Sequence, residues 1–255
     1  MFNVRRADVP AAVPSAVSCH LLGGMWQSDL KPSAPHQSAP HHSAPHHSAR
    51  HHSVIKHSTL QHSMPQDKAM RVLDVGSAGA STVNFFGRHF NQRHCYLAFP
   101  DLYAEPFISG SQPDMAPADL IALFTAALKL KPGVRLDVCL FWDFFCYLRA
   151  PYIAAMLEAL QPHLSAATHG YCLGAMRATP MPHYHYGLAD ADTITQVPRG
   201  GAPLRLYTHT QADLAGLLAP FVISKSRLME EGRLECLLVD RSVAPVVAHG
   251  AATQF

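Results

Sequence analysis

The stretch Arg71-Val72-Leu73-Asp74-Val75-Gly76-Ser77-Ala78-Gly79-Ala80-Ser81-Thr82 constrains the fold more than any other part of this 255-residue chain. An apolar run ends in an acid, a glycine turn follows, and a helix-like stretch from Val83 to Phe90 begins at once. That is the layout of a strand feeding a ligand-facing turn and then a helix. Gly76 lets the backbone turn sharply, and Gly79 lets it pass close to a ligand with no Cβ in the way. A dinucleotide fingerprint needs glycine at three positions, and here Ala78 and Ser81 stand at the second and third. The anion-clamping lysine of a nucleotide P-loop is absent as well.

The rest of the chain alternates in type. Cys95 to Phe99 reads as a second strand, with Asp101 just beyond it, 27 positions after Asp74. Tyr103 to Pro113 reads as loop, and the next helix has Pro117 in its first turn and an apolar face of Leu120, Ile121, Phe124 and Leu128. Leu136 to Asp143 is a near-continuous apolar run with an acid at each end, as expected of a central parallel strand buried on both faces. A helix ending near Leu160 and a strand from Thr168 to Ala175 follow. Residues 177–203 then form a polar, proline-bearing insertion that carries His183, His185, Asp190 and Asp192. Long loops at such an edge carry substrate sites or lids. Two histidines at i, i+2 with no third ligand do not define a metal site. A capping box at Thr210 opens a short helix, and Phe221–Ser224 with Leu234–Val239 reads as a closing hairpin.

This order of elements, with the Asp74–Gly79 loop, resembles the class I S-adenosylmethionine-dependent methyltransferases over about residues 64–240. Asp74 and Gly76 match that family's first motif directly, while Ala78 and Ala80 stand where glycine is common. The Val83-Asn84-Phe85-Phe86 run and Asp101-Leu102 also look like a group of bacterial methyltransferase-like proteins. The resemblance implies an α/β fold: a doubly wound, mostly parallel Rossmann-like sheet closed by a C-terminal antiparallel hairpin. The space between Asp101 and Pro117 is too short for another strand and helix, so the strand-three edge is expected to be trimmed.

The implied cofactor is S-adenosylmethionine. Asp74, Gly76, Ser77 and Gly79 would line its methionine end, Asp101 its ribose, and Asp143 with Phe144 the floor beside the methyl. No residue stands out as catalytic, and no metal is expected. The acceptor implied is a small molecule. A non-catalytic relative serving as an interaction module is the alternative, and a metal-handling protein a third.

Composition bounds the partners and the domain limits. A formal charge of +2 with scattered basic residues argues against a nucleic-acid surface or a membrane-surface helix. No apolar run approaches the roughly 20 residues that span a bilayer. Six cysteines without C-x-x-C spacing read as buried thiols, which suits a reducing cytoplasm. Nine of the 18 histidines lie between His36 and His62, most of them in a five-residue Ser/Ala/Pro/His repeat with almost nothing to bury. Residues 1–63 are therefore expected to be disordered, 64–242 to form the folded domain, and 243–255 to be a flexible tail. The histidine repeat reads first as an expanded linker, and a metal-binding tract is the alternative.

Overall fold

The computed structural model describes residues 15–27, 69–76, 79–90, 95–104, 106–108, 112–176, 182–200, 204–229 and 232–241. The histidine repeat, Ser77 and the C-terminal tail expected to be flexible lie outside the described residues.

The centre is a six-stranded sheet. Its strands are β2 (Met70–Asp74), β3 (Cys95–Ala98), β4 (Val138–Trp142), β5 (His169–Ala175), β8 (Phe221–Leu228) and β9 (Arg233–Asp240), in the order β3-β2-β4-β5-β9-β8. The first four are parallel, and β9 runs antiparallel to both β5 and β8. This is the expected doubly wound, mostly parallel sheet with a closing hairpin. Among the described residues no strand lies outside β3, so that edge is trimmed as the short Asp101–Pro117 spacing predicts.

Period-two alternation in the strands divides the core in two. Leu73, Cys139, Phe141, Cys172, Cys236 and Leu238 face one side. They pack against α3 (Pro117–Leu128), α4 (Ala150–Leu160) and α5 (Gln211–Leu217) through Leu120, Phe124, Ile153, Met156 and Leu214. Both long helices carry proline at the start, where its missing N–H costs nothing, and α5 opens with the capping box that Thr210 and Asp213 announce. Val72, Val138, Leu140, Trp142, Tyr171, Leu173 and Leu237 face the other side.

That second face is covered in a way the sequence reading does not anticipate. One helix, α2 (Ala80–His89), lies there through Phe85 and Phe86. The rest is closed by a three-stranded sheet of β1 (Ser15–Ser18), β7 (Thr193–Pro198) and β6 (Tyr184–Asp190), together with the short helix α1 (Leu22–Gln27). Two expectations are corrected here. The polar insertion is for the most part a β-hairpin, because Tyr186, Leu188, Ile194 and Gln196 alternate inward and are buried. The first 63 residues are not wholly outside the fold: β1 pairs with β7, and Cys19, Leu22 and Met25 are each no more than 2% exposed against Trp142, Tyr171 and Ile194. Three buried apolar side chains and a paired edge hold this arm against its ordering entropy.

All six cysteines are free, and five are buried. No helix among the described residues is long and apolar enough to cross a membrane.

Candidate functional site

Strand β2 leads out to β3 on one side and has β4 on the other, so the sheet's switch point lies beyond the carboxyl ends of β2 and β4. Open α/β sheets bind ligands there. The β2 end carries Asp74 and Gly76, and the β4 end carries Trp142 and Asp143. The Val75 N–H donates to the Leu140 carbonyl at 2.9 Å and the Gly76 N–H to the Pro100 carbonyl at 3.0 Å, which ties the turn to both neighbouring strands. Gly76 sits at φ 137°, a conformation that favours glycine.

Trp142 ends β4 at φ 51°, where a side-chain-bearing residue costs about 1–2 kcal/mol. The return on that strain is an indole whose Nε1–H donates to Asp74 Oδ1 at 2.5 Å. Asp74 is 3% exposed, and its Oδ2 is buried without a hydrogen bond of normal geometry, although the Thr82 hydroxyl lies close enough to pull its pKa down somewhat. Burial wins: the carboxyl is pushed from 3.8 up to about 7. Between those values the folded chain keeps a proton that the unfolded chain has released, so stability falls as pH rises, by up to about 1.4 kcal/mol per unit from this group. Asp74→Asn keeps the acceptor for Trp142 and puts an amide where Oδ2 has no partner. The variant is expected to be roughly 1–3 kcal/mol more stable than the parent at pH 8 and no more stable at pH 4. Urea unfolding at both pH values checks this, and equal parent and variant stability at pH 8 would refute it.

Asp143 is buried differently. Tyr103 donates to its Oδ1 at 2.8 Å, and Tyr147 and Tyr186 donate to its Oδ2 at 3.0 Å each. Arg233, 1% exposed, donates from Nη1 to the Tyr186 hydroxyl oxygen. Desolvation raises the Asp143 pKa, while Arg233 and the three hydroxyls pull it back. Burial and the neighbouring carboxylate raise all three phenols above their ordinary value, so they stay protonated and keep donating. Phe144 is fully buried and packs edge-on against Tyr103 with centroids 5.1 Å apart.

The hairpin closes over this floor. Tyr186 lies flat on Trp142, with ring centroids 5.5 Å apart and 14° between planes. A Cβ at Gly187 would collide with the Ser81 hydroxyl, and the Leu188 N–H donates to Thr82 Oγ1 at 3.1 Å, so the hairpin sits directly on the first turn of α2. His183 packs against the rings of Tyr103 and Tyr147, with centroids 5.2 and 5.1 Å away. Desolvation, with Arg199 and His185 nearby, lowers its pKa to about 4. It is a neutral imidazole at pH 7, and its Nε2 is buried without a hydrogen-bond partner. The Arg199 guanidinium lies 4.1 Å over the Tyr103 ring, and its Nη2 would be 3.3 Å from a Cβ on Gly76.

Of the residues singled out from sequence, Asp74 and Gly76 come together with Asp143 and Phe144 around the switch point, bridged by Tyr103. Gly79 lies nearby under the hairpin, where a Cβ would be 3.7 Å from the Tyr186 carbonyl oxygen. Asp101 is exposed just past β3 and is close enough to His185 to oppose that residue's lowered pKa. Tyr103, Tyr186, Arg199 and Arg233 are missed by sequence reasoning. Only Tyr186 carries a signal, its place in the Tyr184-His185-Tyr186-Gly187-Leu188 alternation. Two features suit a nucleoside cofactor with an amino-acid end: a glycine turn with no Cβ and the unbonded Asp74 Oδ2 beside it. One feature opposes it, since Tyr103 and Arg199 stand over that same turn.

No protein-family profile matches the chain, and no curated protein does. Among solved structures it is similar to the pyocyanin biosynthetic protein PhzM, at 11% identity over 68% of this chain and 51% of that one, with a TM-score of 0.37. It is also similar to Burkholderia thailandensis 1,6-didemethyltoxoflavin-N1-methyltransferase with bound S-adenosylhomocysteine, at 15% identity over 68% of this chain and 72% of that one, with a TM-score of 0.40. A third is the magnesium protoporphyrin IX methyltransferase ChlM of Synechocystis PCC 6803, at 15% identity over 68% of this chain and 74% of that one, with a TM-score of 0.37. The chain spans about half the length of PhzM. The strand order β3-β2-β4-β5-β9-β8 by itself defines the fold.

Proposed function

We propose that the chain is an S-adenosylmethionine-dependent methyltransferase acting on a small-molecule acceptor. The observation that supports this most is the Asp74–Gly76 turn, stitched between β3 and β4 at the switch point, with a buried carboxylate oxygen that no protein donor satisfies in normal geometry. Asp74, Gly76, Ser77 and Gly79 would hold the methionine end, and exposed Asp101 the ribose, because one carboxylate can accept from two vicinal hydroxyls. Asp143 and Phe144 would form the floor beside the methyl, with Tyr103 between them and the cofactor.

The bound cofactor supplies a methyl group already activated by a sulfonium, so the protein's part is to align the acceptor and exclude water. Buried Trp142, Tyr147 and Tyr186 would form the water-excluding wall beside the acceptor. The formal charge of +2 without basic clustering favours a small acceptor over nucleic acid.

A second reading has an observation of its own. Tyr103 and Arg199 fill the space over Gly76, as they would in a relative that has kept the fold as an interaction module and no longer takes up a cofactor.

Calorimetric titration of S-adenosylmethionine and S-adenosylhomocysteine into the full chain separates the two. Micromolar binding is expected, weakened about tenfold or more in Asp101→Ala, which removes a charged acceptor of ribose hydroxyls. A folded chain that takes up neither compound would leave the second reading.

A further inference from the structure

We infer that the Arg199 side chain is a gate over the Gly76 turn: it is shut in this structure, and a ligand reaches the turn only after the guanidinium swings out to solvent. The inference rests on the cofactor reading above and adds to it a control on access to the same site.

Two side chains cover the turn. A Cβ on Gly76 would meet Arg199 Nη2 at 3.3 Å and the Tyr103 ring at 3.7 Å, and the guanidinium itself lies over that ring, 4.1 Å from its centroid. The face that Gly76 opens by having no side chain is therefore closed by its neighbours.

These parts differ in how firmly they are held. Gly76 is tied through its N–H to the Pro100 carbonyl at 3.0 Å, and the Val75 N–H to the Leu140 carbonyl at 2.9 Å. Tyr103 is 7% exposed, its hydroxyl donates to Asp143 at 2.8 Å, and its ring packs against Phe144 and His183 with centroids 5.1 and 5.2 Å away. Neither can step aside cheaply. Arg199 is half-buried, and its long side chain is held by a hydrogen bond from Nε to the Tyr184 carbonyl at 3.1 Å and by the ring beneath it. No carboxylate among the described residues pairs with it. Its backbone N–H donates to the His183 carbonyl at 2.7 Å, so the main chain stays on the hairpin while the side chain moves. Gly200 follows, exposed, and a Cβ there would meet nothing within 4 Å among the described residues, which leaves room for the guanidinium to turn outward.

One hydrogen bond and one stacked guanidinium favour the shut form by a factor on the order of ten. A ligand that needs the open form loses that factor in apparent affinity. The covered turn is then the shut state of the site, not its loss.

Calorimetric titration of S-adenosylhomocysteine into the full chain and into Arg199→Ala tests this, alongside urea unfolding of both. Arg199→Ala is expected to bind about tenfold more tightly while being no more stable than the parent, since it loses the seat on Tyr103. A residue that merely supports the site would lower both quantities when truncated. Arg199→Lys keeps a charge over the ring and loses the Nε donor, so its affinity should fall between the two, and it serves the same comparison should Arg199→Ala not fold. Binding by Arg199→Ala where the parent shows none would also support the gate, with the shut form more strongly favoured. Unchanged or weaker binding by the folded variants would overturn the gate while leaving the cofactor reading in place. If the parent and both variants fold and none binds, the cofactor reading falls and the gate with it.

Discussion

A chain that begins at Met64 is expected to unfold at a far lower denaturant concentration than the full protein, or to fail to fold. The arm of residues 15–27 fills a place in the second core that nothing else occupies. Leu22 is fully buried and Met25 is 2% exposed, both against the face that carries Trp142, Tyr171 and Leu173. The Leu21 N–H donates to Glu235 Oε1 at 3.0 Å, and Cys19 N–H to the Asp192 carbonyl at 2.7 Å. Removing the arm exposes that apolar face, strips the pairing from β7, and takes the Leu21 N–H away from buried Glu235 in the middle of β9, to which the Tyr171 hydroxyl also donates. Leu22→Ala and Met25→Ala are each expected to cost about 2–5 kcal/mol in the full chain. Losing both side chains and the arm's hydrogen bonds approaches the ~5–15 kcal/mol that holds a whole domain together. Deleting residues 33–52 alone should change the unfolding midpoint little, because loop-closure entropy varies only slowly with length. A Met64 chain with the parent's urea midpoint would show that the arm contributes nothing.

The contrast between what was and was not legible in the sequence follows the range of the interactions involved. The parallel strands, the capped helices and the closing hairpin are visible because each is set by local periodicity, by Pro117 and Pro151, or by the Thr210–Asp213 pair. The trimmed edge is visible because chain length between Asp101 and Pro117 is a hard limit. The arm is hidden because Val17, Cys19, Leu22 and Met25 form too short a pattern to announce a core element, and they sit before a repeat that has nothing to bury. Arg233 and Glu235 are charged residues of the closing hairpin, yet both are at most 1% exposed. They are buried because the arm and the β6–β7 hairpin come from about 214 and 47 residues away, measured at Leu21–Glu235 and Tyr186–Arg233. The site divides the same way. Asp74 and Gly76 are set by a local turn, whereas Tyr103 reaches it from the loop after β3 and Tyr186 and Arg199 from the β6–β7 hairpin, and no spacing rule joins them.

The two buried acids at the switch point are expected to respond to the same substitution in opposite directions. Asp74 meets one strong donor and leaves an oxygen unbonded, so an amide relieves it. Asp143 meets three hydroxyl donors with a guanidinium one bond further on. In Asp143→Asn the amide nitrogen would take one oxygen's place and face the Tyr103 O–H at Oδ1, or the Tyr147 and Tyr186 O–H groups at Oδ2. Tyr186 could accept from the amide only with the second lone pair of an oxygen that already accepts from Arg233, and only by giving up its own donation to position 143. Arg233 would also lose the attraction of the Asp143 carboxylate while remaining buried. Asp143→Asn is therefore expected to cost about 2–4 kcal/mol, and Asp143→Ala about 3–5 kcal/mol, as for a buried charge left without its partner. Arg233→Met alone should also destabilise, but Asp143→Asn combined with Arg233→Met should cost clearly less than the two single losses together, since the second change removes the charge that the first leaves stranded. Urea unfolding of the four proteins closes that cycle. Strict additivity would mean that Arg233 is held by something other than the Asp143 carboxylate, and a cost below about 0.5 kcal/mol for Asp143→Asn would mean that the three tyrosines do not depend on a carboxylate at all.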